Sequence, residues 1–539
     1  MDWSKVKVKV QPRSGFDKSH SRKTSSFVGT LKPLLVDELL PNSEFSGSFG
    51  CQIQMAPLAS DIDPRCDYCL EAFLVPHRLL YGGFESWLTG KEVEYISADS
   101  SRALMPRIKV TRADASYLGL NSLAQSLGYK LSAPSISSEF YLNILPFLAY
   151  HRIYDDWYRN AKIQSPVFHF PGIDFAETDA GDFNQPFYLP FISVRSRDSE
   201  ASFYSLQSLM ADGVALGALR QRNFDSDMFT EAVASPQFGN EGSITINTSG
   251  SSAQLTISAI RAMNSMQQFE ERNNLASPRM QDFVKANYGA DLSSGVAQRA
   301  ICIGSARLPI RVASVASTAP SGASSAEWQD VRNPYNNTLG QRGGSAYLDD
   351  NSVFHFHGKV DEPCYLFVIG SLVPRAQYSS GIDPILCRYR EVDGSGQSDM
   401  ANPILQNVGL EAIPDIYLLS DSSSEHIFGY TDRYYAWMDK RDFVDGVFSY
   451  GESLAAFTPQ RFFDQSAVSI NTSFLQIPID FLDEIGAVGT DLSDYGYTLD
   501  GYFKYGVSQP LQRYGIPTLQ DPAYEHGKTV TLQRNGSRL

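Results

Sequence analysis

The segment Ser48-Phe49-Gly50-Cys51-Gln52-Ile53-Gln54-Met55 decides the fold class of this chain. Its apolar residues at positions 49, 51, 53 and 55 alternate strictly with small or polar residues. Successive side chains of a β-strand point to opposite faces of the sheet, so this period of two predicts a strand that is buried on one face and hydrated on the other. Residues 70–76 predict a second, mostly apolar strand.

Later segments and the composition extend this β prediction. Residues 353–358 and 364–369 are the next predicted strands, and the second is a continuous apolar run, which is typical of a strand covered on both faces. Before them, residues 313–346 are rich in Ser, Ala, Gly, Asn and Pro and predict a long surface loop. The chain's 28 Tyr, 32 Phe, 40 Gly and 28 Pro favour short strands joined by turns. We predict an all-β-dominated barrel or sandwich with long excursions between strands.

Helical patterns are few. Residues 114–130 contain one candidate, capped by Asn121 or Ser122, and residues 147–160 carry aromatic side chains at helical spacing. Residues 258–273 form the best candidate, with Ser258 as its cap. Its apolar stripe, which we expect to face the core, consists of Ile260, Met263, Met266 and Phe269.

The net charge of −15 is unevenly distributed along the chain. Residues 1–25 contain two acids and seven bases, a local charge of +5, so the remainder carries −20. A basic segment attached to an acidic body is typical of an interaction tail, and a solvated terminus without a partner is the alternative. The seven bases are Lys5, Lys7, Lys9, Arg13, Lys18, Arg22 and Lys23.

No motif indicates catalysis, a bound metal or a cofactor. Cys66 and Cys69 have the spacing of a zinc pair but lack a second close pair, so buried free thiols are the favoured interpretation. His355 and His357 would share a strand face, yet spacing supplies no third ligand. A phosphate-loop ending at residues 527–529 has Pro522 where glycine is required. Sixty carboxylates leave a glycosidase pair open without supporting one.

The start of the chain has no apolar signal-peptide region, and no apolar run approaches the ~20 residues of a membrane span. We therefore expect folding in a cytoplasm and no membrane insertion.

A series of motifs carries a family resemblance. Phe16-Asp-Lys-Ser-His20, Gly29-Thr-Leu-Lys-Pro33, Phe73-Leu-Val-Pro-His-Arg-Leu-Leu80 and Phe428-Gly-Tyr-Thr-Asp-Arg-Tyr434 follow one another in an order that resembles the major capsid proteins of gokushoviruses, a branch of the Microviridae. The similarity runs from residue 16 to about residue 450 and is poor over the last ~80 residues. The residues that carry the family signature are Pro76, Arg78, Trp87, Pro146, Trp157, Arg272, His357, Gly358, Gly429, Tyr430, Arg433 and Tyr434.

The resemblance implies an eight-stranded viral jelly roll with long inter-strand insertions that contain a few helices. It divides the chain into a basic arm (residues 1–28), a jelly-roll core (29–450) with a spike-forming insertion within 165–330, and a C-terminal extension (451–539) that packs on the core or on neighbouring subunits. It implies a T=1 icosahedral shell of 60 copies around a circular single-stranded DNA phage genome, with surface protrusions for host attachment. The virion, assembled in the host bacterial cytoplasm, is the expected location.

The resemblance also suggests partners. They are the single-stranded genome, a small basic internal DNA-binding protein, scaffold and DNA pilot proteins, and a host surface receptor. Our hypothesis is that residues 1–25 face inward and touch phosphates, with Trp3 and Phe16 available to stack on bases. An arm ordered against a neighbouring subunit is the alternative. Two other classes of protein stay open: a β-rich phage depolymerase with a cleft pair of carboxylates, and a minor attachment protein that forms a small oligomer.

Overall fold

The computed structural model describes residues 13–55, 65–80, 84, 88, 107–110, 121–129, 140–164, 204–205, 217–236, 257–275, 279–293, 295, 298–316, 342–347, 353–387, 410–420, 426–432, 435–438, 440–455, 458–464, 468–482 and 495–511. The strands in these ranges are β1 (Ser14–Asp17), β2 (His20–Ser26), β3 (Lys32–Leu39), β4 (Ser43–Met55), β5 (Cys66–Pro76), β6 (Arg107–Val110), β7 (Phe140–Asn143), β8 (Tyr204–Ser205), β9 (Ile301–Pro309), β10 (Arg311–Ala316), β11 (Arg342–Tyr347), β12 (Val353–Val360), β13 (Cys364–Pro374), β14 (Leu410–Pro414), β15 (Ile427–Asp432) and β16 (Tyr497–Gln509). The helices are α1 (Leu123–Leu127), α2 (Leu145–Ile153), α3 (Ile257–Leu275), α4 (Met280–Tyr288), α5 (Pro384–Cys387), α6 (Tyr435–Met438) and α7 (Thr472–Leu475).

A first antiparallel sheet is organised around β4 and β16. β16 pairs with β4 along one edge and with β1 and β2, end to end, along the other. The outer edge of β4 pairs with β12 and, at one position, with β11, which in turn pairs with β10. Burial alternates residue by residue along both β4 and β16, as the sequence of β4 predicts.

A second antiparallel sheet has the order β3-β13-β5-β9. One face packs against the first sheet, for example through an edge-on contact between Tyr68 of β5 and Tyr497 of β16, whose ring centroids lie 5.6 Å apart. The other face is covered by α2, whose Phe147 and Tyr150 belong to the same buried cluster as Phe73 of β5. Every residue of β13 is therefore buried, which confirms the interpretation of its continuous apolar run.

Glycines on the inner face of the first sheet make room for phenylalanine rings on adjacent strands. Gly47 of β4 lies directly opposite Phe356 of β12, and Gly358 of β12 lies opposite Phe45 of β4. A Cβ atom at position 47 would lie 2.3 Å from the Phe356 ring, and one at position 358 would lie 2.8 Å from the Phe45 ring. Each phenylalanine ring thus packs on the backbone of a glycine on the adjacent strand, which is a known form of cross-strand pair.

The first two helical predictions are confirmed in outline. Ser122 caps α1, with its Oγ accepting a hydrogen bond from the Gln125 amide at 3.1 Å, although residues 114–120 lie outside the described ranges. Residues 147–160 are helical as α2, which continues into one π-helical turn, Tyr154–Tyr158. Short 3-10 turns follow β5 at His77–Leu79 and β14 at Asp415–Tyr417, and a third spans Gly446–Phe448.

The third helix forms over the predicted residues, but Ser258 lies inside it and is not its cap, and the expectation that its apolar stripe faces the core is wrong. Ile260, Met266 and Phe269 of α3 are between 44% and 57% exposed. α4 packs beside α3, with Phe283 in edge contact with Phe269, and leaves most of α3 open to solvent. Helical periodicity identifies side chains that share a face without specifying what that face meets.

The prediction of a loop over residues 313–346 is also wrong at both ends. β10 and β11 pair with each other from Arg311↔Tyr347 to Ala316↔Arg342. Small residues carry little strand signal, so composition alone suggested a loop where backbone pairing extends the sheet. Residues 317–341 lie outside the described ranges. Among the helices whose residues the structure describes, none is long and apolar enough to cross a membrane.

The fit between Gly47 and Phe356 gives a matched pair of variants. We expect Gly47→Ala to lower the free energy of unfolding by about 1–3 kcal/mol, because the new methyl group overlaps a fully packed ring. Gly50→Ala, on the same strand with no atom within 4 Å of the place that a Cβ would take, should change it by less than about 1 kcal/mol. Chemical denaturation of the full chain measures both, and equal losses would contradict the packing described.

Candidate nucleic-acid interface

The basic N-terminal segment is partly built into the first sheet. β1 and β2 lie at the edge of β16, so residues 14–17 and 20–26 are strands of the sandwich and not a free arm. Among the predicted nucleic-acid contacts, Trp3, Lys5, Lys7 and Lys9 lie outside the described residues. Phe16 is half-buried within β1. The remaining predicted residues, which the structure places around this sheet edge, are Arg13, Lys18, Arg22 and Lys23.

Three of these four bases pair with acids of the body. Arg13 contacts Glu44 at 3.0 Å and Lys23 contacts Asp500 at 2.9 Å. Both contacts join β-strands across the surface of the first sheet and are substantially exposed, so each contributes little to stability. They nevertheless neutralise part of the +5 charge that the sequence assigns to residues 1–25.

The third pair is more deeply set. The Lys18 ammonium donates to both carboxylate oxygens of Asp37, at 2.9 and 2.7 Å, and the Tyr505 hydroxyl donates to the same carboxylate at 2.9 Å. Burial and the neighbouring Asp37 charge raise the pKa of Tyr505 well above its ordinary value. These contacts join the N-terminal segment, β3 and β16 at one point.

Arg22 has no acidic partner among the residues that the structure describes. Its guanidinium donates to the main-chain carbonyl of Ser126 at 2.8 Å and to that of Pro33 at 3.4 Å. Burial lowers the pKa of Arg22. Like Lys18, it links the N-terminal segment to β3, but it does so through main-chain carbonyls and not through a carboxylate.

Lys32 is a further cationic residue of this region, for which the sequence predicts no role. It begins β3, is 2% exposed, and has its pKa lowered to about 8 by burial and by the nearby charge of Arg22. The sequence did contain a sign of its burial, because Lys32 stands in the otherwise apolar run 31–36. A lysine buried among apolar residues must either pair with an acid or lower the stability of the fold.

The side chains considered as metal ligands do not converge. Cys66 and Cys69 are three residues apart on β5, so they point to opposite faces, and both are buried. His355 and His357 lie on the exposed side of β12. Within the described ranges, no group of three or more His, Cys, Asp and Glu side chains is placed to hold an ion.

Several family-signature residues stabilise the connections between β5, α2 and β13. Arg78, two residues after Pro76 ends β5, pairs with Glu362 at 2.7 Å. Pro146 stands in the first turn of α2, where its missing amide proton has no consequence. The Trp157 indole donates to the Ala300 carbonyl at 2.9 Å.

The remaining signature residues are more dispersed. Gly429 of β15 has the Val233 carbonyl and the Ile470 side chain so close that a Cβ atom would lie 3.0 and 2.5 Å from them. Tyr430 exchanges two backbone hydrogen bonds of 2.8 Å with Val233. Arg272 is exposed on α3. His357 and Gly358 lie on β12, while Trp87, Arg433 and Tyr434 are outside the described residues.

The described residues thus combine two packed antiparallel sheets, long inter-strand excursions and a helix, α3, with exposed apolar side chains. The chain belongs to the phage capsid family described as "Capsid protein (F protein)", whose model matches residues 4–519. It is similar to capsid protein VP1 of Chlamydia phage 1, with 23% identity covering 96% of this chain and 97% of the relative. It is also similar to capsid protein VP1 of Bdellovibrio phage phiMH2K, with 22% identity covering 94% and 95%.

Membership of this family establishes that the chain is a component of the virion. It is a structural capsid component and not an enzyme. The depolymerase alternative is therefore set aside.

The buried lysine gives a pH-dependent prediction. The Lys32 pKa is about 8 in the folded chain and near its ordinary 10.5 when unfolded, so the unfolded chain binds more protons between these values. The cost of burying the charge is therefore fully present below pH 8 and disappears as the pH rises through 10.5. We expect Lys32→Met to stabilise the fold at pH 7 by on the order of 1–3 kcal/mol, and the gain to shrink at higher pH.

Chemical denaturation in chloride buffer at about pH 7 and about pH 10 measures this difference. Lys23→Met, at an exposed lysine of the adjoining strand, is the matched control and should change stability little at either pH. A gain from Lys32→Met that is the same at both pH values would contradict burial of the charged form.

Proposed function

We propose that this chain is the major capsid protein of a T=1 icosahedral shell, in which 60 copies enclose a circular single-stranded DNA phage genome. The family match over residues 4–519 is the observation that carries the proposal. Self-assembly is supported because capsid proteins form oligomers. The copy number and the genome type are those that the resemblance to gokushovirus capsid proteins implies. A minor attachment protein would account less well for similarity that spans nearly the whole of two capsid proteins.

We further propose that the sandwich is an eight-stranded viral jelly roll. The support is the order β2-β16-β4-β12 in one sheet and β3-β13-β5-β9 in the other. Along the chain, β2, β3, β4 and β5 alternate between the sheets, and β9, β12, β13 and β16 do so again. In a jelly roll, successive strands alternate in this way because each half of the chain folds back across the sandwich.

The insertion between β5 and β9 is the proposed source of the surface protrusion. We place the spike within 165–330, and because β9 begins at Ile301 inside the second sheet, the part before residue 301 carries it. The exposed side chains of Ile260, Met266 and Phe269 on α3, with the exposed Tyr288 of α4, support a role for this region in contacts between subunits. Host attachment through the protrusion and recognition of a surface receptor belong to the same proposal.

The C-terminal part has two roles in this proposal. β16 lies in residues 451–539 and forms the middle of the first sheet, so the extension contributes to the core. The residues around β16 then pack on the core or on neighbouring subunits.

Genome contact is assigned to the first residues of the chain. Arg13, Lys18 and Lys23 are paired with acids and Arg22 donates to main-chain carbonyls, so Lys5, Lys7 and Lys9 are the bases to which we assign this contact. Trp3 is the candidate for stacking on a base. Sixty copies with +5 each bring about +300 before these pairings are counted, far below the charge of a kilobase-scale genome. A small basic internal protein supplies further positive charge, and scaffold and DNA pilot proteins are candidate assembly partners.

The first experiment tests shell formation. We expect the purified full chain, alone or co-expressed with the other virion proteins, to form closed particles of uniform diameter by negative-stain microscopy and to elute early in size-exclusion chromatography. A small oligomer that persists in the presence of the other virion proteins would overturn the proposal in favour of an attachment protein.

The second experiment tests the N-terminal lysines. Replacing Lys5, Lys7 and Lys9 with Gln should weaken binding to a short oligodeoxythymidylate and reduce the slope of log affinity against log salt by about 2, since each lost phosphate contact to a single strand removes ~0.7. The matched control replaces three lysines elsewhere with Gln, at positions 285, 359 and 440, and removes the same charge. Equal slopes for the two triple variants would contradict genome contact by this segment.

A further inference from the structure

A cavity of about 230 Å³ lies at the open edge of the sandwich, where β2 of the first sheet and β3 of the second diverge. The end of α1 contributes Ser126 and Leu127 to its wall. Polar side chains reach it from both sheets. They are Lys18, His20, Arg22, Asp37 and Tyr505.

The Lys18, His20 and Arg22 side chains at this cavity share one face of the N-terminal segment. Positions 18, 20 and 22 are two residues apart, so in an extended chain their side chains point the same way. The His20 ring stacks on Phe503 at a centroid distance of 5.1 Å, and its Nδ1 lies 2.9 Å from the Lys18 carbonyl. These contacts fix the imidazole at the cavity wall.

The cationic side chains at and near this cavity outnumber the acidic ones. Asp37 is the acid in the lining, and its carboxylate is already engaged by Lys18 and Tyr505. Arg22 and the buried Lys32 lie close enough to repel each other, and among the described residues neither forms an ion pair. The Arg22 contacts are to main-chain carbonyls, and its Nε is buried without a hydrogen-bond partner.

Two neighbouring cations, one buried and one half-buried, are expensive to hold when neither has a counter-charge of its own. Burial of an unpaired charge is strongly unfavourable, and an anion beside it recovers much of that loss through charge-assisted hydrogen bonds. The cavity has room for such an anion with some of its water, since one water occupies about 30 Å³ of liquid volume. Arginine presents a planar set of N–H donors that suits the oxygens of a phosphate group.

We propose that the cavity between β2 and β3 is a binding site for a phosphate-class oxyanion, held by Arg22, with His20 and the Lys18–Asp37 pair in its wall and the charge of the buried Lys32 near Arg22. Inorganic phosphate and a backbone phosphate of single-stranded DNA share this chemistry. The second source rests on the genome contact proposed above, whereas the site itself does not.

The test is thermal unfolding of the purified full chain in phosphate-free buffer, with inorganic phosphate added against chloride at equal ionic strength. The wild-type chain should show a melting temperature that rises with phosphate and saturates, because a ligand that binds only the folded state stabilises it. Arg22→Gln should weaken the apparent affinity at least tenfold. Lys32→Met should begin with a higher melting temperature and lose most of the phosphate-dependent rise.

Lys23→Gln is the matched control, because this residue lies on the same strand with its side chain 78% exposed and paired with Asp500. It should keep the full response to phosphate. The proposal is overturned if phosphate stabilises the wild-type chain no more than chloride does, or if Lys23→Gln loses the response as fully as Lys32→Met.

The two sources are separated by repeating the titration with a short oligodeoxythymidylate that lacks terminal phosphates. Stabilisation that depends on Lys32 and Arg22 would identify the phosphodiester as an occupant. Stabilisation by inorganic phosphate alone would identify the free ion and would leave genome contact to be judged by the salt dependence of the N-terminal lysine variants.

Discussion

The close approach of strands in the first sheet is the constraint on which the sandwich depends. Phe356 lies over Gly47, Phe45 lies over Gly358, and the Phe49 ring occupies the space where a side chain at Gly501 would be. Large rings can fill the space between two sheets only if the neighbouring positions are nearly empty, because protein interiors are close-packed. A slip of one residue would move every ring to the solvent face, so this pairing also fixes the register. The second sheet then packs on a surface whose shape is already defined.

The parts of the fold that depend on local alternation could be predicted from the sequence. The period of two in β4 and the continuous apolar run of β13 each have a direct physical meaning, and the structure agrees with both. The partner of a strand is not a local property. β1 and β2 pair with β16, which comes nearly 500 residues later, and their polar sequences gave no sign of a place in a sheet. The exposed face of α3 was misjudged for the same reason, since periodicity describes one surface of a contact.

The candidate interface was predicted in part. The excess of positive charge near the start of the chain can be predicted from the composition of that segment alone. Which of those charges remain available depends on the acids that the fold brings beside them, and Glu44, Asp37 and Asp500 come from three different strands. The importance of Lys32 likewise appears only when its burial and the nearness of Arg22 are known. Linear charge counts therefore overestimate the free charge of the segment and overlook its buried part.

The central position of β16 has a consequence for the order of events during synthesis. This strand lies between β4 and the β1–β2 edge, so the first sheet lacks its middle until residues 497–509 have left the ribosome. Pairings between such distant segments are slow to form, and the strands that wait for them have unpaired edges that can associate wrongly. Until then β4 has an unpaired edge where β16 will lie. Translation thus acts as a timer for the first sheet, whose completion waits for the synthesis of β16.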